Sequence, residues 1–252
     1  MKLTVVGCSG SFPGPDSPAS CYLVEAPYED RTFRLLLDLG SGALGALQRH
    51  VDLDEIDAIA LSHLHPDHCI DLCGYYVVRK YHPTGPRPQL PVYGPDGTRE
   101  RMARAYDLPP GQGMDEQFDF VTYPETSFNL GPFTLDVARV DHPVPAYAVR
   151  VTHEGRTLVY SGDTGRCSGL EDLAKGCDVL LCEASFMADE TNPPGLHLTG
   201  RDAAETAEVS GVGRLLLTHI PPWHERAAVL AEAAPYFDGP AQLVSPGATY
   251  DI

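Results

Sequence analysis

The chain of 252 residues predicts a strand-rich α/β fold, read as one domain over residues 1–252. Three observations lead there. Short apolar runs ending in polar or glycine-rich turns recur along the whole chain. Amphipathic helical stretches are fewer and fall between those runs. The Pro/Gly-rich segments, residues 10–18, 82–91 and 108–113, are too short to link two domains. A chain of this length buries a sizeable core without disulfide staples.

The elements follow in order. MKLTVVG opens the chain as a strand over 3–7, without the charged start and long apolar stretch of a signal peptide, which places the protein in the cytoplasm. Strands are expected at 33–38, 56–61, 90–93 and 118–122, and helices at 41–50, 69–80 and 96–107. Further strands are expected at 133–140, 147–152, 157–161, 178–183, 214–218 and 241–245. FTLDVARV alternates apolar and polar residues, as a half-buried strand does, whereas VLLC is continuously apolar, as a fully buried strand is. Thr199, with Asp202 three places on, starts a helix over 200–210 that Gly211 ends. A last helix is expected over 223–234.

Composition narrows the partners. The formal net charge is −17, and the 18 Lys and Arg residues are scattered, so an extended nucleic acid, held through its phosphates, is disfavoured. No run is long enough for a membrane span. Seven cysteines, an odd count without a CxxC pair, read as reduced, mostly buried thiols.

The chemistry begins at LSHLHPDHCIDL, residues 61–72. His63 and His65 stand two apart at a strand end, so their imidazoles point the same way and converge on one ion. Asp67 and His68 follow as the chain turns, facing a second point nearby. His142, Asp163 and His219 each follow a strand-like run and supply further ligand types. A carboxylate such as Asp163 can share its oxygens between two cations.

The series HLHPDH, His142, Asp163 in GDT and His219 in LLTH resembles the metallo-β-lactamase superfamily. VVGCSGSFPGPDSPAS, LLLDLGSG, VYGPDG, CEASF and GLHLTGRDAAETA extend the resemblance to its ribonuclease Z-like branch. GCSGS, GPDSPAS, GALQRH, SGDTG, CEAS and LLLTHIPPW resemble the actinobacterial cyclic-nucleotide phosphodiesterases built on this fold. The resemblance implies a four-layer αββα sandwich, often a homodimer. It implies one metal on His63, His65 and His142, a second on Asp67, His68 and His219, and Asp163 bridging. Imidazole and carboxylate ligands without thiolate suit two Zn2+ ions, with Mn2+ or Fe as alternatives.

The implied reaction is hydrolysis of a small phosphodiester, 3′,5′-cyclic AMP to the 5′-nucleotide. His197 in GLHLTG is the expected acid for the leaving oxygen, Glu183 in CEASF the residue that holds a histidine in place, and Asp67 a second candidate for orienting the attacking water. The alternatives are a ribonuclease Z-like tRNA 3′-processing endonuclease, a hydrolase of another ester or thioester, and a non-catalytic metal-binding protein. The branch's tRNA-binding arm is inserted between the third and fourth metal motifs. Here His142 and Asp163 lie 21 positions apart, which leaves no room for it. Arg166 and Arg201 read as surface residues. Trp223 reads as packing on the core, with stacking on a base as the alternative.

Overall fold

The computed structural model describes residues 1–252. Two seven-stranded sheets carry the fold. The first contains β1 (Lys2–Gly7), β2 (Cys21–Tyr28), β3 (Arg31–Leu37), β4 (Ala58–Ala60), β5 (Leu90–Gly94) and β6 (Phe118–Thr122). The second contains β7 (Phe128–Leu130), β8 (Phe133–Arg139), β9 (Tyr147–His153), β10 (Arg156–Tyr160), β11 (Val179–Glu183), β12 (Leu215–Thr218) and β13 (Ala241–Leu243). The chain then returns to the first sheet as β14 (Thr249–Asp251), beside β1. Each sheet is antiparallel in one half and parallel in the other: β3 to β6 pair in parallel, as do β10 to β13.

The period of two along each strand builds the layers. Leu35 and Leu37 of β3, Ala58 and Ala60 of β4, and Leu158 and Tyr160 of β10 face a core between the sheets. Their neighbours Leu36 and Ile59 face outward, under α1 (Ala43–Leu47), the one-turn α2 (Pro66–Cys69), α3 (Leu72–Lys80) and α4 (Thr98–Ala105). On the second sheet Val159, Leu180 and Cys182 face outward, under α5 (Ser168–Ala174), α6 (Gly200–Ser210) and α7 (Arg226–Ala233). Strands buried on both faces explain the continuous apolar runs, and the result is the four-layer αββα sandwich.

Thr199 and Asp202 form the expected capping box of α6, and Gly211 ends the helix at φ 63°. Three strands and one helix were not expected from the sequence. β2 carries Pro27 and Glu25, both poor strand residues. Pro27 sits beside the β2–β3 turn, and Glu25 is neutralised by Lys2 at 2.6 Å and Arg34 at 3.2 Å. β7 and β14 are three-residue strands, too short to show a period. α5 is seven residues long and has no side-chain cap. The expected helix over 69–80 is interrupted, with α2 starting at Pro66 and α3 at Leu72. All seven cysteines are unpaired, and Cys8, Cys21, Cys69, Cys177 and Cys182 are buried. No helix is long and apolar enough to cross a membrane.

Candidate metal centre

The carboxyl ends of the parallel strands from both sheets meet at one edge, and the site is built there. The turn after β3 delivers Asp38. The one after β4 delivers Ser62 and His63. The turns after β10 and β12 deliver Asp163 and His219, and Glu183 ends β11. Pro66 fixes the first turn of α2, which carries Asp67 and His68 inward. His142 follows β8.

His63, His65 and His142 form one group. His63 Nε2 lies 2.9 Å from His65 Nδ1, and His142 Nε2 lies 3.2 Å from the same atom. His63 Nδ1 is bonded to Ser62 Oγ at 3.1 Å and His142 Nδ1 to the Leu196 carbonyl at 2.9 Å. Both rings therefore turn Nε2 to the common point. Burial pushes all three imidazoles below their ordinary range, keeping them neutral. Three neutral imidazoles facing one another have too few protons to satisfy every nitrogen; a cation between them does.

Asp67, His68, Asp163 and His219 form the second group, all buried. His68 Nδ1 is bonded to Asp38 Oδ2 at 2.7 Å and His219 Nδ1 to Ser20 Oγ at 2.8 Å. Their Nε2 atoms face the carboxylates. Asp163 Oδ1 is 3.2 Å from His68 Nε2, and Asp67 Oδ2 is 3.5 Å from it. Asp163 Oδ2 is 3.3 Å from His219 Nε2 and 3.7 Å from His63 Nε2, which belongs to the first group. Asp163 thus stands between the two groups.

The residues fit divalent cations on two observations. His68 Nε2 and Asp163 Oδ1 are buried and have no hydrogen-bond partner. Asp38, Asp67, Asp163 and Glu183 are buried carboxylates, and their only ion-pair partners are histidines. Burial opposes charging His68, but Asp163 and Asp38 overcome it and hold the ring well above the ordinary imidazole range. Divalent cations held by these side chains would balance the buried negative charge.

His197 borders both groups. Its Nδ1 lies 2.9 Å from Glu183 Oε1 and 3.9 Å from Asp163 Oδ2, leaving Nε2 for a substrate. Burial lowers its proton affinity, but the charge and hydrogen bond of Glu183 raise it further, to about 9. Glu183 is fully buried and also accepts from the Thr164 and Ser185 amides at 2.7 and 3.2 Å. It stands behind His197, bonded to Nδ1 of that ring.

Several participants went unread in the sequence. Buried Asp38 accepts from Ser62 N at 2.6 Å and from Ser62 Oγ, Tyr160 O–H and His68 at 2.7 Å. The only signal for it was the aspartate within LLLDLG. Ser20 and Ser62 carry no signal at all. Asp38, His219 and Ser11 have φ of 61°, 55° and 63°, a left-handed conformation that non-glycine residues adopt at a cost near functional sites. Gly10 and Gly40 permit the close packing there: a Cβ on them would stand 2.2 Å from the His219 carbonyl and 1.9 Å from the Asp67 carbonyl. Arg166 pairs with Glu171 and Glu205 at the surface, as expected. Trp223 does not pack on the core; it is 64% exposed.

Known proteins resemble this chain over most of its length. Residues 34–220 match the Beta-lactamase superfamily domain. The uncharacterized protein ML1173 of Mycobacterium leprae is 47% identical, over 100% of this chain and 89% of its own. Ribonuclease Z of Mycolicibacterium gilvum is 34% identical, over 88% of this chain and 85% of its own. The probable metallo-hydrolase YhfI of Bacillus subtilis is 30% identical over 100% of both chains. Its crystal structure matches with a TM-score of 0.87 at 29% identity, covering 99% of this chain and 98% of that one. With a three-histidine group and a histidine–carboxylate group meeting at Asp163, the chain belongs to the metallo-β-lactamase superfamily, in its ribonuclease Z-like branch, and is a metal-dependent hydrolase.

Proposed function

We propose that the protein is a phosphodiesterase that converts a 3′,5′-cyclic nucleotide, cyclic AMP foremost, to the 5′-nucleotide. The observation that carries the reading is Asp163 between two ligand groups with the His197–Glu183 pair at its side. His63, His65 and His142 would hold one ion and Asp67, His68 and His219 the other, with Asp163 placed between the two groups. Zn2+ suits this nitrogen–oxygen set without thiolate. Ions held there supply Lewis acidity toward the phosphoryl oxygens and activate water.

The chain's own groups do the rest. Water oxygen bonds to phosphorus and gives up one proton to solvent, the P–O3′ bond breaks, and the departing O3′ takes a proton from His197 Nε2, which is re-protonated from solvent. Glu183 keeps His197 protonated and oriented, and the step it serves is worth ~10²–10⁴-fold. Asp67, besides serving as a ligand, would orient the attacking water.

A small substrate suits the surroundings. The segment between His142 and Asp163 holds only the β9–β10 hairpin, with no inserted arm. The net charge of −17 opposes a polyanion such as tRNA. The test is chromatographic: zinc-loaded protein is given cyclic AMP or a precursor tRNA, with chelated and Asp67→Ala controls. Production of 5′-AMP that both controls abolish, with tRNA intact, supports the reading. Intact cyclic AMP with metal bound sinks it, and tRNA cleavage in that case installs the nuclease.

A further inference from the structure

Two large aromatic side chains at the rim of the metal centre have no role in the chemistry above. Phe12 is 39% exposed and Trp223 64% exposed, and their ring centroids are 4.9 Å apart with planes tilted by 38°. They come from two loops that both embrace His219. Ser11 N–H lies 3.4 Å from His219 Nε2, the nitrogen that faces Asp163, and Phe12 is the next residue, one Cα step of about 3.8 Å away. Trp223 follows His219 by four positions, across a Pro221–His224 turn closed by a 3.0 Å backbone bond.

Neither loop is loose. Ser9 Oγ donates to the Phe12 carbonyl at 2.7 Å, Phe12 N–H donates to the Gly10 carbonyl at 2.7 Å, and Gly10 N–H donates to the Ile220 carbonyl at 3.2 Å. These bonds fix the backbone of the loop that carries Phe12, and both rings stay exposed rather than collapsed on the core. Exposed aromatic surface is unfavourable in water, and rings fixed at the mouth of a polar site suit a flat apolar group that arrives with a polar substrate.

We infer that Phe12 and Trp223 form the platform on which the base of the nucleotide stacks while its phosphate lies at the metal centre. This rests on the phosphodiesterase reading and adds to it the residues that select a nucleoside over other phosphodiesters. One aromatic pair serves one base. A single-stranded polymer needs a positively charged groove with successive stacking rings, which this acidic chain does not supply.

The test compares 3′,5′-cyclic AMP with base-less ribose 3′,5′-cyclic phosphate, using zinc-loaded wild type, Trp223→Ala, Phe12→Ala and Trp223→Phe. Stacking predicts that Trp223→Ala lowers kcat/KM for cyclic AMP relative to the base-less substrate by roughly 5- to 150-fold, mostly through KM. Phe12→Ala acts in the same direction, and Trp223→Phe restores most of the preference. Trp223 is the only tryptophan, so its fluorescence gives a second readout: 5′-AMP shifts it and ribose 5-phosphate does not. Equal losses on both substrates, or none, overturn the inference and leave the phosphodiesterase standing. A fluorescence that follows protein concentration and ignores 5′-AMP assigns the pair to a contact between two copies and overturns it too. A wild type that cleaves neither cyclic phosphate overturns both readings.

Discussion

Asp38→Asn is the substitution that probes the scaffold of the centre without touching a ligand. Asp38 Oδ2 accepts from His68, Tyr160 and Ser62 Oγ, and Oδ1 accepts from the Ser62 amide. An asparagine of the same shape must turn an NH2 group toward one of these sets of donors, so at least one buried donor is left facing another. That costs about 1–3 kcal/mol. For a chain of this size the melting temperature falls by roughly 2–4 °C per kcal/mol. The charge holding His68 Nδ1–H is lost as well, which frees the ring and weakens its Nε2 toward a cation; losing such a supporting partner lowers metal affinity ~10–100-fold. The assay is zinc titration in a competing chelator, with thermal melts of the metal-free protein alongside. The first group, His63, His65 and His142, is expected to lose less than the second. A folded Asp38→Asn protein that binds two ions with wild-type affinity would refute the claim that Asp38 orients His68.

Other substitutions read the remaining parts. His197→Asn should lower kcat on cyclic AMP by ~10²–10⁴-fold while metal content stays at the wild-type level, measured by turnover and elemental analysis. Glu183→Gln should bring the His197 pKa down from about 9, followed by NMR on the metal-free protein, because the carboxylate is what raises it. The sign follows for stability. The folded pKa lies above the ordinary imidazole value, so the pair's contribution is complete below roughly pH 6.5 and lost as pH rises through about 9. Glu183→Gln should remove that alkaline loss from pH-dependent melts. Gly10→Ala should displace the His219 loop, since its Cβ would stand 2.2 Å from the His219 carbonyl; the expected cost is ~1–3 kcal/mol, with weakened binding of the second ion.

Much of this was legible in the sequence because metal chemistry requires particular side chains at strand ends. His63, His65, Asp67 and His68 announce themselves by spacing, and the structure brings His142, Asp163 and His219 to them from three other turns. Strands that alternate or run continuously apolar were readable for the same reason that they build layers. β2 was not, because Glu25 and Pro27 look wrong for a strand until Lys2, Arg34 and the adjacent turn are in place. Asp38, Ser20 and Ser62 were illegible as partners of the ligands, since each acts through a contact that only the folded chain makes. Trp223 was misread because a lone tryptophan usually packs inside; its loop leaves it exposed.

In the proposed reaction, two ions on the two groups that meet at Asp163 are required to open a cyclic phosphodiester. The most direct measurement is stoichiometric: metal-free protein is titrated with Zn2+ while 5′-AMP formation from cyclic AMP is followed. The account predicts activity that rises to saturation at two equivalents per chain, and none at any loading in Asp163→Asn. Full activity at one equivalent, or without metal, would contradict it.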